Sequence, residues 1–511
     1  MGKPNGRLRQ QELNQLKMQR RKAARRLRLH QAAEGLVRPR TATLSNAQCE
    51  WADVDEETEA RRQTVDEQIT VFRAVLPTLL KRLNQIQDPR NAKTIKHKSS
   101  VVLLYGLLTF VFQMSSRREA NRQMSMPMFL ENLKRIFPEL ESLPHHDTLN
   151  RLLSTIEPEQ IQPTLIDLVR QFIRSKKVCR YLIEDCYPIA IDGSQKFVRE
   201  TCWSAECLER EVGSPAEDGT KPSQYYVYVL EASLAFANGM TIPLMSEFLS
   251  YEKGDPLANT QDCELRAFPR LAKRIKQCFP NLKILVLLDG LYPNGPVIQL
   301  CRDYHWDFMM VLQDGSLPSV WEEVHGLEKI ERQNRFAQKW GNRLQRFHWV
   351  NGIEYCYGEN NRKRQILHVV ICEESWKELD PDSTQIVEKT SRHAWISARP
   401  LARDNVHKRC NLGARHRWGI ESSFLVEKRH GYQYEHSFSS DWKAMKGYHY
   451  LMRLGHFINV LVQHSARLAR MVRVLGLRGL IQFIRETCAA PWLDTERIQR
   501  LLRSPGQLRL E

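Results

Sequence analysis

A mixed α/β core, preceded by an all-helical module and followed by a helical tail, is the fold class the sequence predicts. Three observations carry it. Residues 62–180 repeat apolar side chains at helical spacing, residues 187–312 alternate short apolar runs with helical segments, and the stretch after 465 returns to an amphipathic helical pattern.

Taken in order, the first 40 residues hold twelve Lys and Arg against only Glu12 and Glu34. Such a charge block is expected to be disordered alone and to seek a polyanion. The acidic run from Asp53 to Glu59 reads as a linker, so residues 1–61 form a flexible basic arm with an acidic end. Over 62–180, Val71, Phe72, Val75, Leu76, Leu79, Leu80 and Leu83 recur at i, i+3, i+4, and further helices are predicted at 98–114, 127–136, 147–156 and 159–175. Asp147 is the expected N-cap of the helix at 147–156, and His145 and His146 read as capping or surface residues rather than ligands. The longest apolar run, Val101 to Met114, is shorter than the roughly 20 residues a bilayer requires, so it predicts a core helix.

The pattern changes near 187. Pro188 to Asp192 reads as a buried strand ending in a Gly193-Ser194 turn, and Tyr225–Phe236 and Met240–Phe248 as strands joined at Asn238-Gly239. A helix at 260–278, a buried strand from Ile284 to Asp289, a helix at 294–304 and a strand from Phe308 to Leu312 follow. Strand, hairpin, helix, strand, helix, strand is the order found in ribonuclease H-like folds. It places Asp192 and Asp289 at the carboxyl ends of strands, where ligand-bearing acids belong. Residues 181–319 are thus the first part of this core, 320–393 a β-rich insertion with a turn at Asn351-Gly352, and 394–465 the second part. The tail, 466–511, offers Leu468, Val472, Leu475, Leu480, Phe483 and Ile484 as one apolar face amid arginines, suited to partner packing or DNA.

Net charge of +17 and a pI near 9.4 exceed what solubility needs and point to nucleic acid. No membrane span or signal-peptide core is read after Met1. The twelve cysteines include no Cys-x2-Cys pair, which suits free thiols in a reducing compartment.

The run R-W-G-I-E-S-S-F-L-V-E-K contains Arg417, Glu421 and Lys428. On a helix turning about 100° per residue, Glu421 lies about 40° and Lys428 about 20° from Arg417, so a guanidinium, a carboxylate and an ammonium share one face. A carboxylate there can ligate a cation while its basic neighbours hold phosphate; an ordinary solvated i,i+4 pair is the plainer reading. With Asp192 and Asp289 it makes a three-acid set able to cut phosphodiesters on metal ions. Glu184, Asp185, Asp303, Asp307 and Asp314 lack the paired strand-end context.

These residues resemble the motifs of DDE transposases of the bacterial insertion-sequence superfamily, whose third catalytic region carries a Tyr-x2-Arg-x3-Glu-x6-Lys signature. Asp192-Gly193-Ser194 is similar to the first motif, Asp289 with Tyr292 and Asn294 to the second, and Arg417 to Glu421 with Phe424 and Lys428 to the third. Pro144 to Arg151 resembles a segment that precedes the first motif. The signature's Tyr falls on Ala414.

The resemblance implies DNA cleavage at transposon ends and transfer of the 3′-hydroxyls to target DNA. Asp192, Asp289 and Glu421 would hold two Mg²⁺ ions, with Mn²⁺ as a substitute, and Arg417 and Lys428 would position phosphates. It also implies that the insertion supplies an aromatic residue stacking on a flipped base, with Trp340 and Trp349 as candidates; a strand tryptophan more simply fills a core. Synapsis implies a homodimer or higher assembly, and the setting is the bacterial cytoplasm at the nucleoid. A catalytically silent DNA-binding derivative and a structure-specific nuclease on the same fold are the alternatives.

Overall fold

A computed structural model describes residues 6–37, 51–140, 142–214, 221–250, 262–380, 385–504 and 506–511. The chain is mixed α/β. Its helical N-terminal part comprises α1 (Gly6–Ala33), α2 (Val54–Leu83), α3 (Ser99–Val111), α4 (Arg117–Met124), α5 (Pro127–Ile136), α6 (His146–Thr155) and α7 (Gln162–Arg174). Next come β1 (Tyr187–Arg199), β2 (Leu208–Glu211), β3 (Ser223–Ala235), β4 (Thr241–Leu249), α8 (Glu264–Cys278), β5 (Ile284–Leu288), α9 (Gly295–Asp303) and β6 (Asp307–Val311). Then follow α10 (Pro318–Leu327), β7 (Arg335–Trp340), β8 (Arg343–Tyr357), β9 (Lys363–Leu379) and β10 (Ile386–Ser397), and the chain closes with α11 (Trp418–Arg429), α12 (Trp442–Gln463), α13 (Ala469–Cys488) and α14 (Thr495–Arg503). Two compact units share these elements: a larger one from Gln48–Leu287 and Arg415–Glu511, and a smaller one from Met1–Ala47 and Leu288–Ala414.

In the larger unit β1 pairs antiparallel with β3 and parallel with β5, while β3 also carries β2 and β4. The Asn238-Gly239 hairpin joins β3 to β4 as predicted, with Gly239 at φ +89°. Gly193-Ser194 is not a turn. β1 runs through it for 13 residues, with Asp192 opposite Glu231 and Arg199 opposite Tyr225, so Asp192 is mid-strand. The short polar run looked like a turn because Ser194 and Lys196 point inward and are buried, which breaks the apolar alternation expected of a strand.

The helical core is centred on α12, which is buried without interruption from Gly447 to Val462 and packs on α2, α3, α6 and α7. Glycine allows the closest approach: a Cβ at Gly455 would stand 2.7 Å from Phe110 Cβ and 3.2 Å from the Phe110 carbonyl carbon. Backbone cannot swing aside, so Gly455→Ala is expected to cost about 1–3 kcal/mol through overpacking. Urea denaturation checks this; an unchanged midpoint would show that α3 and α12 slide apart freely.

Three expectations for this unit change. The acidic run is not a linker: Asp53 caps α2, accepting from Glu56 N at 2.8 Å, and Asp55, Glu56 and Glu57 fill the first turn, where the helix dipole favours negative charge. His145 rather than Asp147 caps α6, its Nδ1 accepting from Asp147 N at 3.2 Å. The tail's apolar residues Leu480, Phe483 and Ile484 are buried, and α13 packs on α2 and α5, with the Arg61 guanidinium 4.2 Å from the Phe483 ring centre. Gly476, at φ +68°, interrupts α13, which is why a face drawn through Val472 and Leu475 does not continue in line.

The smaller unit contains an antiparallel sheet in the order β6-β10-β9-β8-β7. Asn294 caps α9, which packs on β6 and β9, and α10 packs on β8. Asn351-Gly352 is a bulge inside β8 rather than a hairpin turn: the register shifts between Val350 and Ile353. Asn351 is held there by Leu401, whose carbonyl accepts from Asn351 Nδ2 at 2.8 Å and whose N–H donates to Asn351 Oδ1 at 2.9 Å. The basic arm is helical from Gly6 to Ala33 and packs on β9, with Arg20 and Gln31 donating to the carbonyls of Asp380 and Lys377. Partnering on the sheet supplies what the isolated segment lacks. No helix among the described residues is long and apolar enough to cross a membrane.

Candidate functional site

Within the larger unit, Asp192 and Glu421 meet at one guanidinium. A single turn, Ala414–Arg417, leads into α11, and α11 lies against β1, β3 and β4. Arg417 Nη2 donates to Glu421 Oε1 at 2.7 Å and Nη1 lies 3.4 Å from Asp192 Oδ2. The side chains are 9 % exposed for Arg417, 16 % for Asp192 and 41 % for Glu421, so the carboxylates face outward from a buried base. Asp192 Oδ1 accepts from Gly193 N at 2.9 Å.

Two glycines make room for this arrangement. A Cβ at Gly193 would stand 2.4 Å from the Tyr228 ring and 2.5 Å from Glu264 Oε1, and one at Gly419 would stand 2.8 Å from Thr241 Oγ1. Glu264, at the start of α8, accepts from the Tyr228 hydroxyl at 2.6 Å. Burial and this carboxylate push the Tyr228 phenol up. Sequence reasoning missed Glu264 because it begins a helix and ends no strand.

Lys428 does not join Glu421. Its Nζ lies 3.4 Å from Glu435 Oε1 and 5.7 Å from the Tyr434 ring centre. The residue before it holds a buried ionic network instead. Arg453 Nη1 donates to Glu427 Oε1 at 2.7 Å, while Nη2 lies 3.1 Å from Glu231 Oε2; His456 also meets Glu427, and His449 Nε2 lies 3.1 Å from Glu231. Lys196 Nζ donates to the Tyr434 carbonyl at 2.9 Å and sits 4.5 Å from that ring. Every member is nearly inaccessible. Glu231 is the register partner of Asp192, and Glu427 lies on the helix bearing Glu421, so the network ties together the elements that present both acids. An isolated polar residue inside an apolar helix such as α12 carries no sign of its partners in sequence.

One arginine between two carboxylates splits their acidities. Burial raises Glu427, but Arg453 and His456 outweigh it and hold the carboxyl at about 2, against an ordinary 4.5. For Glu231 burial dominates over Arg453 and lifts the carboxyl to about 7. Burial pulls the Lys196 ammonium down to about 8. By linkage, a depressed carboxyl contributes stability that is present above 4.5 and lost as pH falls toward 2. Thermal unfolding between those pH values is therefore expected to be less pH-dependent in Glu427→Gln than in the parent. Equal slopes would remove Glu427 as the source.

Asp289 belongs to the smaller unit and follows β5. Its Oδ1 accepts from Leu291 N at 3.0 Å, and Gly290 fits where a Cβ would stand 2.5 Å from the Gln313 side chain. Trp340 ends β7 opposite Arg343 and is partly exposed. Trp349, opposite Val370 in β8, is 5 % exposed and fills the core, so its ring offers no open stacking face. Asp307 accepts two 2.8 Å bonds from buried Arg409, and Asp314 pairs with Arg392 at 2.6 Å. In the larger unit, His145, His146 and Asp147 bring three ligand atoms within 4.8 Å of one another. The capping bond already engages His145 Nδ1, and Arg117 lies 4.0 Å from Asp147.

Residues 80–169 match the DDE_Tnp_1-associated family model. The match points to a DDE-transposase-related protein. No curated protein matches the chain. The DDE_Tnp_1-associated region runs from the end of α2 into α7, and α7 packs on β4. There Gln162 Nε2 donates to the Ser246 carbonyl at 3.1 Å, while the Ser246 hydroxyl donates to Glu231 at 2.7 Å. The DDE_Tnp_1-associated region is thereby bonded to the strand next to Glu231 and, through that residue, to the buried network.

Proposed function

We propose that the chain is a DDE transposase with a ribonuclease H-like core, cleaving DNA at transposon ends and joining the freed 3′-hydroxyls to target DNA. The observation that carries this reading is the meeting of Asp192 and Glu421, from a strand and a helix 229 positions apart in the sequence, on the single guanidinium of Arg417. The DDE_Tnp_1-associated match lends support from an independent stretch of chain. Asp289 is the third acid of the proposal.

Carboxylate oxygens are the donors that hard divalent cations take, and a cation displacing the Arg417 charge from between Asp192 and Glu421 suits that donor set. Asp192, Asp289 and Glu421 would hold Mg²⁺, or Mn²⁺ in its place; when bound, two such ions supply an activated oxygen nucleophile and charge stabilisation at the departing oxygen. Arg417, freed from the carboxylates, would turn its planar donor fork to a phosphate of the DNA end. Lys428 and Trp340 remain candidate contacts to the DNA backbone and to an unstacked base, and a homodimer or larger assembly would bring two ends together. The test is incubation of the intact chain with DNA carrying the native flanking ends, with and without Mg²⁺. Cleavage and joining that require the metal support the reading. Binding without either reaction would favour a catalytically silent derivative, and cutting without joining a nuclease.

A further inference from the structure

In the smaller unit, α1 carries Lys17, Arg21, Lys22, Arg25, Arg26 and Arg28, all exposed. At about 100° per residue these six occupy one half of the helix surface, and Arg20, Ala23, Ala24, Leu27 and Gln31 occupy the other. The second half is the one that meets β9: Gln31 is 7 % exposed and donates to the Lys377 carbonyl at 3.2 Å. None of the six outward cations has an acid partner among the described residues. A cleft of about 920 Å³ runs between α1 and the β9–β10 pair, walled by Lys22, Arg26, His30 and Lys377 over Ile386, with Glu388 the one acidic lining residue among the described residues.

We infer that α1, with this cleft, is a track for the phosphate backbone of DNA. From Lys17 to Arg28 the helix rises about 16 Å. Duplex DNA carries about one phosphate per 1.7 Å of axis with both strands counted, so that length of duplex holds about nine or ten negative charges, part of which face α1. The cations stand on successive turns and continue round to the cleft, which suits a continuous polyanion better than a compact ligand. An anionic membrane is the weaker match. The apolar side chains that α1 leaves exposed, Leu13, Leu16, Met18 and Leu29, are spread around the helix rather than gathered on one face, and Leu27 is committed to the sheet side. The identity of the polyanion rests on the transposase reading; the charge geometry does not.

The experiment uses the full chain without divalent cations, so that binding is read apart from cleavage. Affinity for a short duplex of arbitrary sequence is followed against NaCl concentration for the parent, for Arg21→Gln/Arg25→Gln/Arg28→Gln, and for the control Arg362→Gln/Lys363→Gln/Arg364→Gln. The control removes the same charge from exposed positions in the same unit. The α1 triple variant is expected to lower the log–log salt slope by about two to three, at about 0.9 for each phosphate no longer neutralised, while the control leaves it unchanged. Equal slopes in all three proteins, or the same loss in both variants, would overturn the assignment. So would a loss of binding to anionic vesicles by the α1 variant with DNA binding intact. A chain that binds DNA along α1 yet cleaves nothing in Mg²⁺ would sink the transposase reading and leave this one standing.

Discussion

Arg453→Met is expected to destabilise the larger unit by about 3–5 kcal/mol, the usual cost of removing one partner from a buried ion pair. The arginine serves two carboxylates at once, 2.7 Å from Glu427 and 3.1 Å from Glu231, and all three side chains are fully buried. Without it Glu231 keeps Ser246 and His449, and Glu427 keeps His456, but the buried Glu427 charge loses its main counter-charge and faces Glu231 across the space the guanidinium filled. Arg453→Lys should recover only part of the loss, because an ammonium is a point charge and cannot bridge both acids in fixed geometry. The triple variant Glu231→Gln/Glu427→Gln/Arg453→Met should recover more than the lysine, since neutralising both acids along with their arginine is far cheaper than leaving them buried without it. Urea denaturation of the three proteins orders them. A single Arg453→Met variant as stable as the parent would mean that the network contributes nothing to holding β3, α11 and α12 together.

Asp192→Asn should abolish metal-dependent cleavage, with a rate at least about a thousandfold lower, because several kcal/mol of charge stabilisation at the reacting phosphate depend on the metal that the carboxylate would hold. The substitution keeps the shape, and the amide can still accept from Gly193 N, so the fold and DNA binding should survive. Asp289→Ala and Glu421→Gln should match it. Glu264→Gln is the informative companion: it sits beside Gly193 and accepts from Tyr228, and it should leave cleavage within about tenfold if its role is packing. Cleavage that persists in Asp192→Asn would remove this acid from the chemistry.

The helices of the N-terminal part were legible because their apolar spacing is strongly periodic: α3, α5 and α7 fall within a few residues of the predicted spans. Asn238-Gly239 was legible as a hairpin because its neighbours are apolar on both sides. The same dipeptide chemistry at Asn351-Gly352 misled, since contacts with Leu401, 50 residues away, turn it into a bulge. Asp192 and Glu421 could be paired from spacing and resemblance. The sharing of Arg417 between them was not visible, nor was the diversion of Lys428 to Glu435. Glu427 was hidden for a simpler reason: on a helical wheel it looks like one more solvated acid, and only α12, folding back over it, makes it a buried one.

The scattered membership of each unit bears on how the chain is made. Helix α1 leaves the ribosome long before the strand it packs on, β9, which ends at Leu379. Helices α2, α3, α6 and α7 likewise emerge early and wait for α12, at Trp442–Gln463. The helix faces that β9 and α12 cover therefore stay open while the long intervening stretch of chain is translated. At about 5–20 residues per second that interval is tens of seconds, long enough for a chaperone to decide the yield of folded protein. A premature stop between α7 and α12 would leave α2, α3, α6 and α7 complete with no α12 to close around.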